Sequence, residues 1–205
     1  MPYLYIDPWY IILVVPAMLL AFWAQINVNT TFSRYSKVLA PSGMTGAESA
    51  RRVLEANGVT GVRIERISGN LTDHFDPKTN TIRLSESVYD ATTVSAVGVA
   101  AHEAGHAVQY AVGYAPMQLR AAIIPATNIG SQLAMPLVLL GLIFSSAMLV
   151  DIGILAFSMS TLFQLVTLPV EFNASRRAVA TLESSCVSDT EVKGAKAVLR
   201  AAALT

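Results

Sequence analysis

Three long apolar blocks and one mixed stretch divide the 205-residue chain. The first block covers residues 10–24, and two more cover 133–150 and 152–170 with only Asp151 between them. A helix needs about 20 residues to cross the hydrocarbon core of a bilayer, and each block is near that length. The pattern predicts three transmembrane helices, of which the last two form a hairpin that turns at Asp151.

The residues between and after these blocks complete a four-part organisation. We expect an N-terminal transmembrane helix, a soluble unit, a transmembrane hairpin and a helical tail, over residues 1–26, 27–120, 121–170 and 171–205 respectively. No Lys or Arg precedes Arg34, so the first block lacks the basic flank of a cleavable signal peptide. The Ala-rich end at Thr205 is typical of a helix in mid-course, and we expect the natural chain to continue.

The soluble unit has the pattern of a small α+β fold. Thr45 and Glu48 stand in the spacing of a capping box at the start of a helix over 45–56. Residues 59–67 and 79–84 alternate between apolar and polar types, as strands do. The second of these strands is either an edge that pairs with an extended peptide substrate or an edge strand with no such role.

Composition and charge narrow the classes of function. The chain is 53% hydrophobic and 14% charged, with a mean hydropathy of +0.50, which fits a membrane protein. Its 14 basic and 14 acidic residues cancel, so we expect no nucleic-acid partner. Cys186 is the single cysteine, so an intrachain disulfide is excluded.

The positions of the cations predict an orientation. All Lys and Arg residues fall between Arg34 and Arg120 or between Arg176 and Arg200. With three spans these two stretches lie on the same side of the membrane, and the positive-inside rule makes that side the cytoplasm. We therefore expect a multi-pass protein of the plasma membrane with its soluble parts in the cytoplasm.

Residues His102, Glu103 and His106 form the pattern H-E-x-x-H. Residues four apart share one face of a helix, so both imidazoles can bind a zinc ion at about 2.0–2.1 Å. Glu103 is then placed to take a proton from a metal-activated water and pass it to a leaving amine. The alternative is a pair of histidines on an amphipathic helix without a metal.

Catalytic zinc keeps three protein ligands and one open position, so a third ligand is needed. We expect Glu171, which directly follows the third apolar block on the predicted side of the histidine pair. Two alternatives remain, in which Glu171 pairs with Arg176 or Arg177 instead, or in which His74 is the third ligand.

For His74 we favour a different role, as a donor to the oxyanion of the tetrahedral intermediate. It stands in the segment Asp73-His74-Phe75-Asp76-Pro77. A surface turn without a functional role explains this histidine equally well. Asp73 and Asp76 either orient the imidazole or cap the turn.

The motif helix over 94–112 is apolar, which raises the possibility that it also crosses the membrane. A fourth span there would move Arg120 and the cations of the tail to the opposite side, against the positive-inside rule. We therefore expect a buried core helix. Its small residues let neighbouring elements approach the metal closely, and they are Ala100, Ala101, Ala104, Gly105 and Ala107.

Several segments together resemble the bacterial neutral zinc metallopeptidases of the YugP type. The resemblance is carried by Asp7-Pro8, 42–48, 71–74, 83–89, the motif at 102–106, 113–116 and 168–175. It implies a zinc protease of the bacterial membrane.

The arrangement is also similar to the wider group of membrane gluzincins, whose third zinc ligand is the Glu of an E-x-x-x-D segment. Glu171 matches that ligand, which implies a zincin-like fold for the soluble unit. Ser175 stands where the group has the Asp that orients a zinc-bound histidine. Ser175, Asn173 or another residue must then supply that hydrogen bond.

These observations predict a mainly α membrane protein with a small α+β unit, acting as a zinc-dependent endopeptidase. Zinc is expected on His102, His106 and Glu171, with Glu103 as general base and acid. Expected partners are a peptide or protein substrate, the lipid bilayer, and a membrane scaffold protein or a second copy of the chain. The alternative is a non-catalytic membrane scaffold whose zinc is structural or absent, closed by His74 or an Asp as a fourth ligand.

Overall fold

A computed structural model of the chain describes residue 8, residues 10–185 and residues 188–203. Trp9 and Cys186 lie outside the described residues, as does the predicted chain end at Thr205. The described chain is mainly helical, with one small sheet.

Among the described residues three helices are long and apolar enough to cross a membrane, which agrees with the predicted number of candidate spans. A π-helical segment, Tyr10–Val14, leads into α1, and the other two candidate spans are α5 and α6. Their bounds are Val15–Tyr35 for α1, Ala115–Ile143 for α5 and Ala147–Ser184 for α6. Most of their large apolar side chains are exposed, as expected for surfaces that face lipid.

The predicted turn at Asp151 is wrong, because α5 and α6 are joined at residues 144–146. Ser145 takes a left-handed conformation with φ of 52°, and the Ser146 amide donates to the Gly141 carbonyl at 2.8 Å. Asp151 lies inside α6, one turn after its N-terminus. One polar residue in an apolar sequence therefore did not end the helix.

Outside the three candidate spans, the described residues form three strands and four helices. In chain order they are α2 (Gly46–Ala56), β1 (Arg63–Ile67), β2 (His74–Asp76), β3 (Thr81–Ser85), α3 (Glu86–Tyr89), α4 (Val94–Ala111) and, after the hairpin, α7 (Asp189–Ala202). The predicted capping box at α2 is confirmed, since Thr45 accepts from the Glu48 amide and Glu48 accepts from the Thr45 amide.

The strand order is β1-β3-β2, so the prediction that residues 79–84 form an edge strand is wrong. β3 pairs parallel with β1 and antiparallel with β2. Ile82 and Leu84 of β3 are both fully buried, which a central strand explains. β2 pairs with β3 and is an edge strand of the sheet, and it contacts the motif helix α4.

The motif helix α4 is the centre of the packing, which confirms the predicted buried core helix. It contacts α2, α6 and α7, and it is not among the candidate spans. Small residues allow these contacts, as predicted. A Cβ added at Gly105 would lie 2.6 Å from the carbonyl oxygen of Ala174 in α6. The backbones of α4 and α6 therefore meet beside the metal-binding motif.

Helix α6 is one continuous element of 38 residues, about 57 Å long. That is roughly twice the thickness of a bilayer core, so a helix of this length that crosses the core continues well beyond it. From the end of the apolar block onward it buries one stripe, formed by Val170, Ala174, Ala178 and Leu182, which are all 0% exposed. This stripe packs on α4 and brings Glu171 beside the histidine pair.

Candidate metal centre

His102 and His106 lie one helical turn apart on α4, with their ring centroids 4.6 Å apart and their planes at 79°. His106 is buried and His102 is half-buried. Their side chains point to the same side of the helix, where α6 crosses. The local spacing of the motif thus places both imidazoles as the sequence predicts.

Glu171 joins them from α6. Its Oε2 lies 3.1 Å from His102 Nε2 and 3.3 Å from His106 Nε2. Three ligand atoms at tetrahedral angles around zinc, each at about 2.0–2.1 Å, are about 3.3–3.4 Å apart. The three residues form a group whose ligand atoms all lie within 4.8 Å of one another. Their chemistry and spacing therefore fit a zinc ion.

The second carboxylate oxygen of Glu171 has a different partner. Oε1 accepts from Arg120 Nη1 at 2.6 Å, whereas the pairings considered from the sequence were with Arg176 and Arg177. Arg120 lies on α5, so three helices meet at this carboxylate. The ion pair leaves Oε2 to face the histidines, which favours a monodentate ligand.

The charges around His106 favour a cation at the imidazole. Burial alone lowers its pKa, but the hydrogen bond to Glu171 and the negative charges of Glu103 and Glu171 outweigh burial and raise the pKa. A zinc ion carries positive charge to the same nitrogen that Glu171 faces. The negative charges of Glu103 and Glu171 therefore favour positive charge at this position.

Glu103 borders a cavity of about 230 Å³ beside the three ligand residues. Its wall includes Asp73 and His74 from the sheet side, and Met117, Ala121 and Ile124 from the start of α5. The cavity gives a small molecule or a peptide side chain room next to Glu103. This placement is what a proton carrier in the reaction needs.

His74 is exposed and lies in the cavity wall, outside the group of three possible metal ligands. Its Nδ1 is 2.8 Å from the Thr72 carbonyl oxygen, which can only accept, so Nδ1 carries the proton. Nε2 is then an acceptor in the neutral ring and a donor only in the imidazolium. A role as oxyanion donor therefore requires the charged form.

The neighbouring carboxylates do not contact His74 through hydrogen bonds in the described structure. Asp73 accepts from the Ser85 amide at 2.8 Å and from its hydroxyl, while Asp76 accepts from the Lys78 amide and Thr79. Burial, with a smaller contribution from Glu103, raises the pKa of Asp73. Asp76 thus caps the turn between β2 and β3 and does not orient the imidazole through a hydrogen bond.

The two histidines are held by different partners on the side away from Glu171. His102 Nδ1 lies 3.1 Å from the Ser175 hydroxyl, so Ser175 occupies the place expected for the orienting group. His106 Nδ1 lies 3.0 Å from Gln109 Oε1. Both contacts leave Nε2 of each ring directed at Glu171.

Gln109 belongs to a fixed hydrogen-bond chain. Its Nε2 donates to the Val170 carbonyl at 2.8 Å and to Asn173 Oδ1 at 3.0 Å. Asn173 Oδ1 also accepts from Arg177 Nε at 2.8 Å. Because both amide hydrogens are used, Gln109 offers only its oxygen to His106. The proton of His106 is therefore on Nδ1, and Nε2 is free to bind a metal.

Gln109 and Arg120 are the residues that the sequence analysis missed. Gln109 had a usable signal, since it follows His106 by three positions on the same face of one helix. Arg120 had none, because 51 residues separate it from Glu171. Its place depends on how α5 and α6 pack.

Residues 10–205 match a profile of the family described as "Putative neutral zinc metallopeptidase". The chain belongs to this family. The predicted resemblance is therefore confirmed. The group formed by His102, His106 and Glu171 can hold the metal ion that the family's description implies.

One curated member of the family is similar along most of its length. The chain is 47% identical over 197 residues to the protein named "Putative membrane protease YugP" of Bacillus subtilis (strain 168). The match covers 96% of this chain and 88% of that protein. No solved structure gives a significant match.

Proposed function

We propose that this family member is an integral membrane zinc endopeptidase. The observation that carries the proposal is the meeting of His102 Nε2, His106 Nε2 and Glu171 Oε2 beside Glu103 and a cavity. Three ligands with adjoining space are the pattern of catalytic rather than structural zinc.

In this proposal each residue of the site has a separate role in the reaction. Zinc, when bound, supplies a Lewis acid that lowers the pKa of water from 15.7 to about 7. Glu103 takes a proton from the attacking water and passes it to the amine of the broken peptide bond. Arg120 holds Glu171 in place, and imidazolium His74 donates to the oxyanion.

The free edge of β2 is the proposed place for the substrate backbone. β2 pairs with β3 on one side, and its residues His74 and Phe75 border the cavity on the other. An extended peptide that adds to this edge runs past Glu103. Pairing with a substrate peptide, one of the two alternatives for residues 79–84, is thus proposed for β2, the strand that lies between them and the cavity.

The active site is proposed to lie close to the bilayer, on its cytoplasmic side. Glu171 comes one residue after the apolar block that ends at Val170, and the cations of the chain support the orientation. Peptide substrates, and a scaffold protein or a second copy of the chain, remain proposed partners.

A structural zinc site, as in the non-catalytic scaffold, needs a fourth protein ligand. Among the described residues, the possible metal-binding group contains three members and neither His74 nor an Asp is one of them. We therefore favour the enzyme.

The test is the variant Glu103→Gln, purified as the full chain in detergent and assayed with fluorescein-labelled casein. Cleavage should fall by about 10²–10⁴-fold, because the amide cannot carry the proton. Zinc content should stay at the wild-type level, since Glu103 is not a ligand.

Glu55→Gln is the matched control, because Glu55 is an exposed acid of α2 remote from the cavity. It should cleave as the wild type does. Unchanged cleavage in Glu103→Gln, with zinc retained, would remove Glu103 from the mechanism.

A further inference from the structure

A second and larger cavity lies on another face of α6, between its last turns and α7. Its volume is about 660 Å³, and it does not share a lining residue with the cavity at Glu103. We call it the tail groove. Its lining residues from α6 include Phe172, Arg176 and Val179, and those from α7 include Lys196 and Arg200.

The charges in the tail groove are unbalanced. Three cations, Arg176, Lys196 and Arg200, line it with a single acid, Glu183. Among the described residues none of the three cations forms a salt bridge, whereas other arginines of the chain, such as Arg83 and Arg120, do. The groove therefore favours an anionic ligand.

Apolar side chains form the remainder of the lining. Phe172, Val179 and Leu199 contribute to it, and Phe172 is 48% exposed. A small hydrated anion does not bury this apolar surface, whereas the apolar chain of an amphiphile does, and that burial contributes favourably to the free energy of binding. The lining thus fits a ligand with an anionic head and an apolar chain.

The depth of the groove specifies the ligand further. Phe172 follows the end of the apolar block by two residues, and Arg176 by six. For a helix along the membrane normal these distances are about 3 Å and about 9 Å. The headgroup layer extends roughly 5–8 Å beyond the hydrocarbon core, so the end of the groove at Phe172 lies within this layer and Arg176 lies at about its outer edge.

From charge, lining and depth we infer that the tail groove binds an anionic phospholipid of the surrounding bilayer. Arg176, Lys196 and Arg200 contact its phosphate, and the acyl chain leaves along Phe172 toward the membrane. This site is independent of the proposed protease activity, since it needs neither zinc nor Glu103.

The groove also lies next to the metal centre. Ser175 lines it, and the same hydroxyl contacts His102 Nδ1 at 3.1 Å. The proposed lipid site therefore borders a residue that contacts His102, one of the possible zinc ligands.

The test is native mass spectrometry of the full chain in detergent, titrated with phosphatidylglycerol or with phosphatidylcholine of the same acyl chains. The variant Lys196→Gln/Arg200→Gln should bind phosphatidylglycerol about thirtyfold more weakly, from the contribution of two cations at a lipid surface. Binding of phosphatidylcholine should not change.

The matched control is Lys78→Gln/Lys193→Gln, which removes the same charge from two exposed lysines outside the groove. Its affinity for phosphatidylglycerol should stay within about twofold of the wild type, because the contribution of these lysines is screened. Equal weakening in both double variants would overturn the proposal.

A second variant keeps the charges and fills the space. Ala180→Trp places an indole in the groove from an exposed position, so a folding defect is not expected. It should weaken the binding of phosphatidylglycerol. Wild-type binding in this variant would contradict a site in the groove.

Two further probes identify the source of the anion. Inorganic phosphate or a polyglutamate peptide that binds as tightly as phosphatidylglycerol, through the same cations, would overturn the assignment to lipid. We expect neither to compete at equal concentration, because neither covers the apolar lining.

Discussion

The two halves of α6 have the same helical backbone but opposite surroundings. In the first half, large apolar side chains such as Leu155 and Phe157 are exposed on the surface, as lipid-facing residues are. In the second half, Val170 and Leu182 are fully buried against the soluble unit. Glu171 stands at the boundary between them. The same helix thus carries an apolar candidate span and the possible metal ligand Glu171.

The largest expected effect distinguishes Glu171, at the boundary of the two halves, from Asp151, an acid in the first half of the same helix. Glu171→Gln removes a ligand and leaves Arg120 without its ion-pair partner. Zinc measured by elemental analysis should fall from one ion per chain to near zero. Asp151→Asn should retain full zinc, since Asp151 is exposed in the membrane half. Equal zinc in both variants would contradict the ligand set.

A smaller effect concerns stability. Leu182→Ala should lower the free energy of unfolding by about 2–5 kcal/mol, because it opens a cavity under the second half of α6. Leu155→Ala, at a side chain that is 64% exposed, is the control and should cost far less. Denaturant unfolding in detergent micelles measures both. Similar losses would mean that the two halves are not packed differently.

The next prediction concerns the buried amide behind His106. Gln109→Leu should weaken zinc binding about 10–100-fold, because His106 loses the acceptor that fixes its Nδ1 proton. Gln109→Glu keeps an acceptor and should recover part of the affinity. Competition with a zinc chelator measures both constants. Gln118→Leu, at an exposed glutamine of α5, should bind zinc as the wild type does.

The smallest expected effect is at Ser175. Ser175→Ala removes one hydroxyl from the half-buried His102, where water can replace it, so zinc affinity should fall by less than about tenfold. Ser175→Asp should raise the affinity, because a carboxylate is a stronger acceptor for an imidazole N–H. A larger loss at Ser175 than at Gln109 would reverse the ranking of the two histidine partners.

The sequence was sufficient where the signal is local. The spans follow from apolar length, and the shared face of His102 and His106 follows from their spacing of four. Glu171 was predicted from its position directly after an apolar block. In the structure it lies beside the histidines because α4 and α6 cross closely at Gly105.

Features that depend on packing could not be predicted. The turn at residues 144–146 is set by the contact of α5 with α6, and the lone polar residue Asp151 does not mark it. The central position of β3 depends on pairing with β1, which is distant in sequence. Arg120 and the tail groove arise where helices remote in sequence meet.

Zinc K-edge X-ray absorption on the purified full chain, with elemental analysis of the same sample, tests the central claim most directly. We predict one zinc per chain, bound by two imidazole nitrogens and one carboxylate oxygen, with one further light ligand that is not from the protein. A sulfur ligand, a third imidazole, or no zinc above background would contradict the proposed centre.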